Sequence, residues 1–309
     1  MAKISVIIPC LNEEQTVGKV VKDFKRELPS ADIIVYDNGS TDKTVKLAKK
    51  AGAIVRTSNR KGKGNVLKQA FEEINSDIFI TVDGDDTYDA KEVKKLIKPV
   101  LNHEADMVVG TRMSNFKKEE KRLLHNIGNR IILWQMHFCF PCRITDMLSG
   151  YRVMTRDVAK SLNLLSSGFT IETEMTIKTL ENGYTIKEIP TTYKERPPGS
   201  KSKLNSFSDG WFILTTILSL FRDYRPMQFF IIFSIFTFSI FVGFAINVAF
   251  EIVQLHRVVH YLSLILACVF LMITIFLIMM GFIGSSIHAS KREVMNALQT
   301  MKRRMDRNL

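Results

Sequence analysis

Residues 78–86 of the chain read Ile-Phe-Ile-Thr-Val-Asp-Gly-Asp-Asp, an apolar run that ends abruptly in acidic residues. A short run of apolar and β-branched residues bounded by turn-forming residues predicts a strand that is buried on both faces. Burial does not explain three acidic residues within four positions. The segment therefore predicts a central strand of a parallel sheet, with polar chemistry at its carboxyl end.

The same alternation of strand and helix extends through the first 110 residues. This order predicts an α/β fold with a mainly parallel, doubly wound sheet. The predicted strands are Lys3–Ile8, Asp32–Tyr36, Ala53–Arg56, Ile78–Val82 and Met107–Gly110. The predicted helices lie near residues 13–28, 42–51, 63–75 and 89–101, and a further helical stretch covers residues 121–139.

Polar segments follow three of these strands, and the carboxyl ends of parallel strands meet at one edge of a sheet. The three segments are Pro9–Glu14, Asp37–Asp42 and Asp83–Asp86. Asp83 and Asp85, one residue apart, suit a divalent cation that two phosphates already bridge. The alternative is a solvated turn that caps the helix beginning near Asp89.

Composition and charge narrow the classes of protein. The chain has 309 residues, of which 46% are hydrophobic, and a net charge of +12, so it is not wholly disordered. A basic excess suits nucleic acid, anionic lipid or a phosphorylated substrate, but no nucleic-acid recognition motif is present, so nucleic acid is not an expected partner.

Four cysteines are too few for a secreted disulfide scaffold. The Cys139-x-x-Cys142 pair lacks a second pair at zinc-ligand spacing, and we interpret it as two apolar side chains at a helix end.

The carboxyl-terminal third of the chain has two uncharged apolar stretches. Neither Pro226–Phe250 nor Val258–Ser290 contains Asp, Glu, Lys or Arg, and each is long enough to cross ~30 Å of hydrocarbon. Basic residues flank these stretches on the outer sides, at Arg222 and Arg225 and again from Lys291 onward. The positive-inside rule then predicts two membrane spans with the large amino-terminal domain and both chain termini in the cytoplasm.

These patterns predict four regions along the chain. Residues 1–205 form the α/β domain, and residues 206–225 form an amphipathic helix that lies in the membrane interface, or alternatively packs on the domain itself. Residues 226–286 contain the two transmembrane helices with a short loop at 251–259. Residues 287–309 form a basic tail that we expect to contact anionic lipid head groups.

Seven motifs in order carry a resemblance to a known family. The first four are Pro9–Glu14, Tyr36–Asp42, Asn59–Gly64 and Asp83-Gly84-Asp85; the later three are Val109–Arg112, Asp146–Arg152 and Arg196 with Gly199–Leu204. Together they resemble the family 2 glycosyltransferases of the GT-A fold, in the polyprenyl-phosphate branch that includes dolichol-phosphate mannose synthase and bactoprenol glucosyltransferases. The resemblance covers about residues 3–210, and the two trailing spans agree with it.

The resemblance implies roles for individual residues. The implied donor-binding residues are Pro9, Leu11, Glu13, Asp37, Asn38, Lys63, Asp83, Arg112 and Arg122. The implied ligands of Mg²⁺ or Mn²⁺ are Asp83 and Asp85. The residues implied to bind the acceptor phosphate are Arg122, Arg196, Ser202 and Lys203. The implied catalytic residues are Asp85, Arg112, Asp146, Arg196 and Lys203. From their residue type, Asp146, Glu172 and Glu174 are candidates for a catalytic base. Alternatively, Glu172 and Glu174 are structural, because Ile171–Met175 is a predicted helix start, where carboxylates stabilise the exposed amide dipoles.

The sequence departs from the family pattern at two positions. Asn38 stands where many members have a second Asp, and Thr87 stands where many have a Gln two residues beyond the metal-binding Asp. Both departures bear on base contacts and on metal coordination.

The resemblance implies a membrane-bound, inverting, metal-dependent transferase. It would move a single sugar from a UDP- or GDP-sugar to a polyprenyl phosphate, dolichyl or undecaprenyl, with membrane lipid as a further partner. A homo-oligomer is compatible with the sequence. A processive polysaccharide synthase is a weaker alternative, because the Gln-x-x-Arg-Trp signature is absent and two spans are few for a secretion channel. The remaining alternative is a non-catalytic, membrane-anchored subunit for sugar-nucleotide binding or assembly.

Overall fold

The chain divides into two compact units, Met1–Ile217 and Leu218–Leu309, in a computed structural model. The structure describes residues 2–112, 123–140, 142, 144–168, 170–197, 206–257 and 259–307.

A seven-stranded sheet forms the centre of the first unit. The strands are β1 (Ile4–Cys10), β2 (Asp32–Asp37), β3 (Ile54–Thr57), β4 (Ile78–Thr81), β5 (Met107–Thr111), β6 (Arg152–Thr155) and β7 (Ile186–Pro190). Their order across the sheet is β3-β2-β1-β4-β6-β5-β7; β6 runs antiparallel to β4 and β5, and the other pairs are parallel. The predicted α/β fold with a mainly parallel sheet is confirmed.

Helices cover both faces of this sheet. The helices before the second unit are α1 (Val17–Glu27), α2 (Thr44–Lys50), α3 (Lys63–Glu73), α4 (Val93–Leu101, after a 3₁₀ turn at Ala90–Glu92), α5 (Leu123–Cys139), α6 (Arg156–Ser161) and α7 (Ile171–Glu181), and α8 (Ser206–Tyr224) begins in the first unit. Alternate residues of β1 enter different cores, because successive side chains of a strand point to opposite faces. Val6 and Ile8 pack with Phe24 of α1, whereas Ile7 packs with Phe71 of α3.

The chain changes direction across the sheet between β1 and β4. From β1 it runs outward through β2 to β3, and it then returns to place β4 on the other side of β1. Ligands of doubly wound sheets bind at such a switch point, beyond the carboxyl ends of the strands. Both β1 and β4 end here in the polar segments that the sequence singled out.

Two strands and one helix after residue 150 were not predicted, whereas α7 begins at the helix start predicted at Ile171–Met175. β6 has four residues and begins with the buried Arg152, so it lacks the apolar run that marked the other central strands. β7 lies at the sheet edge, where only Ile189 is fully buried, and α6 and α7 complete this part of the unit. The helix predicted at 121–139 agrees with α5.

An exposed aromatic surface lies on α5. Trp134 and Phe138 are 68% and 59% exposed, and their rings stack with centroids 5.7 Å apart. In the same unit, α8 exposes Trp211 and is joined to α5 by a hydrogen bond of 3.2 Å from Gln135 Nε2 to the Leu214 carbonyl oxygen. Exposed aromatic residues in this number are unusual on a surface that faces only water.

The second unit is built around two long helices, α9 (Pro226–Leu255) and α10 (Tyr261–Arg307). Residues 226–255 and 261–294 contain 18-residue segments with mean hydropathies of 2.5 and 3.0, and both helices are long and apolar enough to cross a membrane. The helices pack closely, because a Cβ at Gly284 would lie 2.8 Å from Pro226 Cβ. The hydroxyl groups of Thr237 and Thr274 share a hydrogen bond of 2.8 Å between the helices.

A buried carboxylate closes the turn between these two helices. Glu251, at the end of α9, accepts hydrogen bonds from the backbone N–H of Val259 at 2.8 Å and of His260 at 3.0 Å, and it contacts the imidazole of His260. It thereby satisfies amide groups at the start of α10, which have no partner inside that helix.

Replacing Glu251 by Gln should loosen this turn. The amide keeps the shape of the side chain but removes its negative charge from at least three contacts. We expect this loss to destabilise the turn by about 1–3 kcal/mol. Arg257 is the one Lys or Arg between Arg225 and Lys291, so tryptic cleavage in the turn gives defined fragments. In detergent, E251Q should be cut at Arg257 roughly tenfold faster than the wild type, because cleavage tracks the open population. The exposed Gln254→Ala variant is the control, and equal rates for E251Q and wild type would contradict the assignment.

Candidate active site

The carboxyl ends of β1 and β2 are joined by a network of backbone and side-chain hydrogen bonds. Asn12, in a left-handed conformation with φ of 52°, accepts from the Thr41 N–H at 2.8 Å, and its own N–H donates to Ser40 Oγ at 2.9 Å. The N–H of Glu13 donates to Thr44 Oγ1 at 2.8 Å. Because Asn tolerates positive φ better than most residues, it suits this position. The segment that includes Pro9, Leu11 and Glu13 is thus fixed against the segment that follows β2.

Asp37 and Asn38 organise the loop after β2. The carboxylate of Asp37 accepts from the N–H groups of Gly39 and Ser40 at 3.2 Å, which forms a tight turn. Asn38 donates from Nδ2 to the Arg60 carbonyl oxygen at 2.8 Å and accepts at Oδ1 from the Gly62 N–H at 2.6 Å. An ionised Asp could not donate the first of these bonds. The departure from the family pattern at residue 38 therefore ties β2 to the loop that precedes α3.

Lys63 lies between two carboxylates at the beginning of α3. Its Nζ is 2.5 Å from Asp83 Oδ1 and 2.6 Å from Glu172 Oε1 of α7. Burial by itself lowers the pKa of the Lys63 ammonium, but the charges of Asp83 and Glu172 outweigh burial and hold that pKa well above its ordinary value. The resemblance implied that Lys63 contacts the donor, and the structure places its ammonium beneath Asp83.

Three glycines permit the close approach of these elements. A Cβ at Gly150 would lie 2.7 Å from Asp83 Oδ2 and 3.0 Å from Lys63 Nζ. Gly62, with φ of 111°, and Gly64 both lie against backbone, since a Cβ at Gly64 would be 2.0 Å from the Ser166 carbonyl oxygen. Any larger residue at these positions would displace Lys63 or Asp83.

Asp85 is held by two groups from different segments. Thr87 donates from its hydroxyl to Asp85 Oδ1 at 2.6 Å, and Arg196 Nη2 lies 2.7 Å from Asp85 Oδ2. Burial, and then the charge of Asp83, raise the pKa of Asp85 above its ordinary value, although Thr87 and Arg196 act in the opposite direction. The second departure from the family pattern, Thr87, thus fixes the orientation of the predicted metal ligand.

The two carboxylates provide only part of a coordination sphere. Within the residues that the structure describes, no group of three or more His, Cys, Asp and Glu side chains is placed to hold a metal ion. Asp83 and Asp85 each lie against a cationic side chain, so the position attracts positive charge. Two hard oxygen ligands fit Mg²⁺ or Mn²⁺ when phosphate or water oxygens supply the others.

Arg112 and Asp146 form a second buried pair, at the end of β5. The Arg112 backbone N–H and Nε each donate to Asp146 Oδ2 at 2.9 Å, and Nη2 donates to Oδ1 at 2.7 Å. The guanidinium also lies over the ring of Tyr193, 5.6 Å from its centroid. Burial raises the pKa of Asp146, but the hydrogen bonds and charge of Arg112 outweigh it and hold the pKa below its ordinary value.

The three candidates for a catalytic base are all engaged in contacts. Asp146 is paired with Arg112, and Glu172 with Lys63. Glu174 accepts from the backbone N–H groups of Leu165 and Ser166, each at 2.8 Å, and orders the loop before α7.

Arg152 lies near the site. It belongs to one of the sequence motifs, but no role was predicted for it. Its side chain is completely buried, and it donates to the carbonyl oxygens of Ser149 and Met147 at 2.9 and 2.7 Å and to Thr176 Oγ1 at 2.8 Å. Among the described residues, no carboxylate forms an ion pair with it. Burial lowers the pKa of Arg152, and its bonds fix the segment that joins Asp146 to Gly150. Its position in the Gly150-Tyr151-Arg152 motif was the available signal.

The structure brings together most of the predicted site residues at one edge of the sheet. Asn38, Lys63 and Asp83 belong to one set of contacts, Asp85 pairs with Arg196, and Arg112 pairs with Asp146. Asp37 lies beside Asn38, and Pro9, Leu11 and Glu13 lie on β1 and the loop after it. Arg122, Ser202 and Lys203 lie outside the described residues.

Comparison with known proteins identifies the family. The family model of glycosyl transferase family 2 matches residues 5–162. Glycosyltransferase AglJ of Haloferax volcanii is 31% identical over 300 residues, which cover 97% of this chain and 98% of that protein. The chain therefore belongs to glycosyl transferase family 2, and it is a glycosyltransferase. The dolichyl-phosphate hexose transferase of the same organism is 27% identical over 222 residues, covering 72% of this chain and 95% of that protein.

A solved structure agrees with the fold. Glucosyl-3-phosphoglycerate synthase from Mycobacterium tuberculosis, in complex with Mn²⁺ and UDP-glucose, has a TM-score of 0.60 and 23% sequence identity, and the match covers 71% of this chain and 79% of that one. The GT-A fold predicted by resemblance is confirmed.

Removing the Asp146 charge should destabilise the first unit in a pH-dependent way. The Asp146→Asn variant should lose roughly 3 kcal/mol of unfolding free energy at pH 7, because it leaves the Arg112 charge without its partner. The folded-state pKa lies below the ordinary value of 3.8, so this stabilisation is present above about pH 4 and is lost as the pH falls through the folded pKa.

Urea unfolding of the full chain in detergent between pH 7 and pH 3 measures this difference. The control is Asp157→Asn, an exposed residue in the first turn of α6, which should change the unfolding free energy by less than about 1 kcal/mol. A D146N deficit that stays constant down to pH 3 would contradict the prediction.

Proposed function

We propose that the protein is a membrane-bound, inverting glycosyltransferase that moves a single sugar from a nucleoside-diphosphate sugar to a polyprenyl phosphate. The observation that carries the proposal is the pairing of Asp83 and Asp85 with basic side chains at the switch point of the sheet. Similarity to a dolichyl-phosphate hexose transferase supports the acceptor class. The same relative supports hexosyl transfer.

The donor would bind beyond β1 and β2. Pro9, Leu11 and Glu13 border a surface that Asp37 and Asn38 complete, and we assign the base and ribose of a UDP- or GDP-sugar to it. Asn12 and the Asp37 turn hold this surface before a ligand arrives, which lowers the ordering cost of binding. The structural relative was solved with UDP-glucose, which supports a nucleotide-sugar donor for a protein of this fold.

Asp83 and Asp85 would hold Mg²⁺ or Mn²⁺ together with oxygens of the donor diphosphate. When bound, such an ion stabilises the negative charge that develops on the departing diphosphate. Asp85 is pre-oriented for this by the hydroxyl of Thr87. The structural relative with Mn²⁺ supports a divalent cation in this fold.

Basic side chains would bind the phosphate groups. The Arg196 guanidinium already reaches Asp85, so it lies where a diphosphate would be bound. Arg112, held by Asp146 and Tyr193, presents a fixed positive charge to the same edge. The resemblance adds Arg122, Ser202 and Lys203, and guanidinium groups suit phosphate oxygens through paired hydrogen bonds.

The acceptor would attack without a strong base. A lipid monophosphate is already an anion near neutral pH, so its oxygen needs little deprotonation. The lowered pKa of Asp146 makes this carboxylate a weak proton acceptor, and its hydrogen bonds are directed at Arg112. We therefore assign Asp146 to the orientation of Arg112.

Membrane attachment completes the proposal. The helices α9 and α10 would span the bilayer, with the catalytic unit and both termini in the cytoplasm as the flanking basic residues indicate. The exposed Trp134, Phe138 and Trp211 would lie in the interface, where aromatic side chains are favoured. In this proposal the catalytic unit would lie at the membrane surface, where a polyprenyl phosphate presents its head group.

The Asp85→Asn variant tests the metal-binding carboxylate. It should reduce transfer to polyprenyl phosphate by at least about 100-fold while the protein stays folded, because a charge that stabilises the transition state is lost. The control is Asp86→Asn, which changes the neighbouring residue. Asp86 pairs with Lys19 at 2.6 Å and has a φ of 58°, which Asn accepts, so this variant should retain activity.

Transfer is measured by thin-layer analysis. Dolichyl and undecaprenyl phosphate are first incubated with labelled UDP- and GDP-sugars, so that the assay also identifies the substrates. Unchanged transfer by D85N in the presence of Mg²⁺ or Mn²⁺ would refute the site assignment. Binding of a donor without turnover by the wild-type protein would instead favour the non-catalytic subunit.

A further inference from the structure

Glu172 is a buried carboxylate for which the proposed reaction gives no role. Its side chain is 4% exposed and lies in the first turn of α7, with Oε1 2.6 Å from Lys63 Nζ. Within the part of the chain that the structure describes, Lys63 is its one ion-pair partner. Lys63 in turn is 2.5 Å from Asp83 Oδ1, so the three groups form a chain that ends at the proposed metal site.

The net charge of Glu172, Lys63 and Asp83 affects how strongly the proposed site attracts a divalent cation. If Lys63 faced Asp83 alone, the pair would be neutral and would attract a cation weakly. With Glu172 on the other side of the ammonium, the three groups carry a net charge of −1. We propose that Glu172 is a positioning residue that neutralises Lys63 and so preserves the negative charge of Asp83 toward a divalent cation. The inference rests on the proposed function, in which Asp83 and Asp85 hold that cation.

The surrounding backbone keeps Lys63 in this arrangement. Gly150 lies against both Lys63 and Asp83, and the N–H of Gly64 donates to the Ser167 carbonyl oxygen at 3.0 Å, which fixes the first turn of α3. Outer carboxylates that hold the partner of a metal ligand commonly change metal affinity by about 10–100-fold when they are removed.

Glu174 provides a matched control on the same helix. It is as buried as Glu172, but it accepts from the N–H groups of Leu165 and Ser166 and pairs with Lys178 at 2.7 Å. Its loss should lower stability without removing charge next to Asp83.

The experiment measures Mn²⁺ binding by the full-length protein in detergent, with UDP and separately with GDP, and without acceptor. Electron paramagnetic resonance of unbound Mn²⁺ gives Kd without any turnover. Glu172→Gln should raise Kd by about 10–100-fold. Glu172→Asp, which keeps the charge, should recover part of the affinity. Glu174→Gln should lower the melting temperature and leave Kd unchanged.

A double-mutant cycle with Lys63 tests whether Glu172 acts through the ammonium. At saturating nucleotide, so that any loss of nucleotide affinity does not enter, Lys63→Met should bind Mn²⁺ at least as tightly as the wild type, since a positive charge beside Asp83 is gone. The E172Q effect should disappear in the K63M background, because the two residues are then uncoupled. This arm stays informative if E172Q alone folds poorly.

Several results would overturn the inference while leaving the proposed metal site intact. These are an equal Kd for wild type and E172Q, an equal loss in E174Q, or an E172Q effect that persists without Lys63. Failure of the wild type to bind Mn²⁺ with either nucleotide would refute the proposed metal site itself, and the inference with it.

Discussion

Buried negative charge at the carboxyl edge of the sheet is the constraint on which the site depends. A carboxylate removed from water is costly unless a cation and hydrogen-bond donors compensate it. Asp85 and Asp146 are buried and Asp83 is half-buried, and each faces a basic side chain. These side chains come respectively from the segment after β7, from the residue after β5 and from α3. Elements distant in sequence are therefore held at one edge by the same requirement.

The topology explains why the charges gather at this edge. β1 pairs with β2 on one side and with β4 on the other, so the segments after these three strands must lie side by side. Gly84 allows the turn after β4 to lie close to β1, since a Cβ there would be 2.5 Å from Cys10 Sγ. Thr16 also donates to the Gly84 carbonyl oxygen at 2.7 Å, which fixes the same turn against α1. The position of Asp83 and Asp85 is thus set by backbone packing before any ligand is considered.

The sequence predicted the strands that have a buried apolar run and the polar segments that follow them. It could not predict the partner of each charge, because Lys63 and Glu172 are far apart in the chain and meet only through the packing of α3 and α7. The family pattern implies that Lys63 contacts the donor, and that pattern contains no signal for its contacts with Asp83 and Glu172. The strand β6 was missed for a related reason, since Arg152 is polar by composition yet completely buried through bonds to carbonyl oxygens. Tertiary hydrogen bonds determine whether a polar residue can be buried at such a position. The local sequence pattern carries no information about those bonds.

The ion pairs of the site differ in how readily a ligand could replace them. Arg112 is bound to Asp146 by three hydrogen bonds and packs over Tyr193, so an incoming phosphate would meet a group whose orientation is already fixed. Arg196 Nη2 lies 2.7 Å from Asp85 Oδ2, and the family resemblance assigns acceptor binding to Arg196 together with Ser202 and Lys203. A diphosphate offers a guanidinium more oxygens than a single carboxylate does, while a divalent cation offers Asp85 more charge than Arg196 does. Within the proposed function, arrival of both would therefore exchange one buried ion pair for two stronger ones, and this favours joint over separate binding.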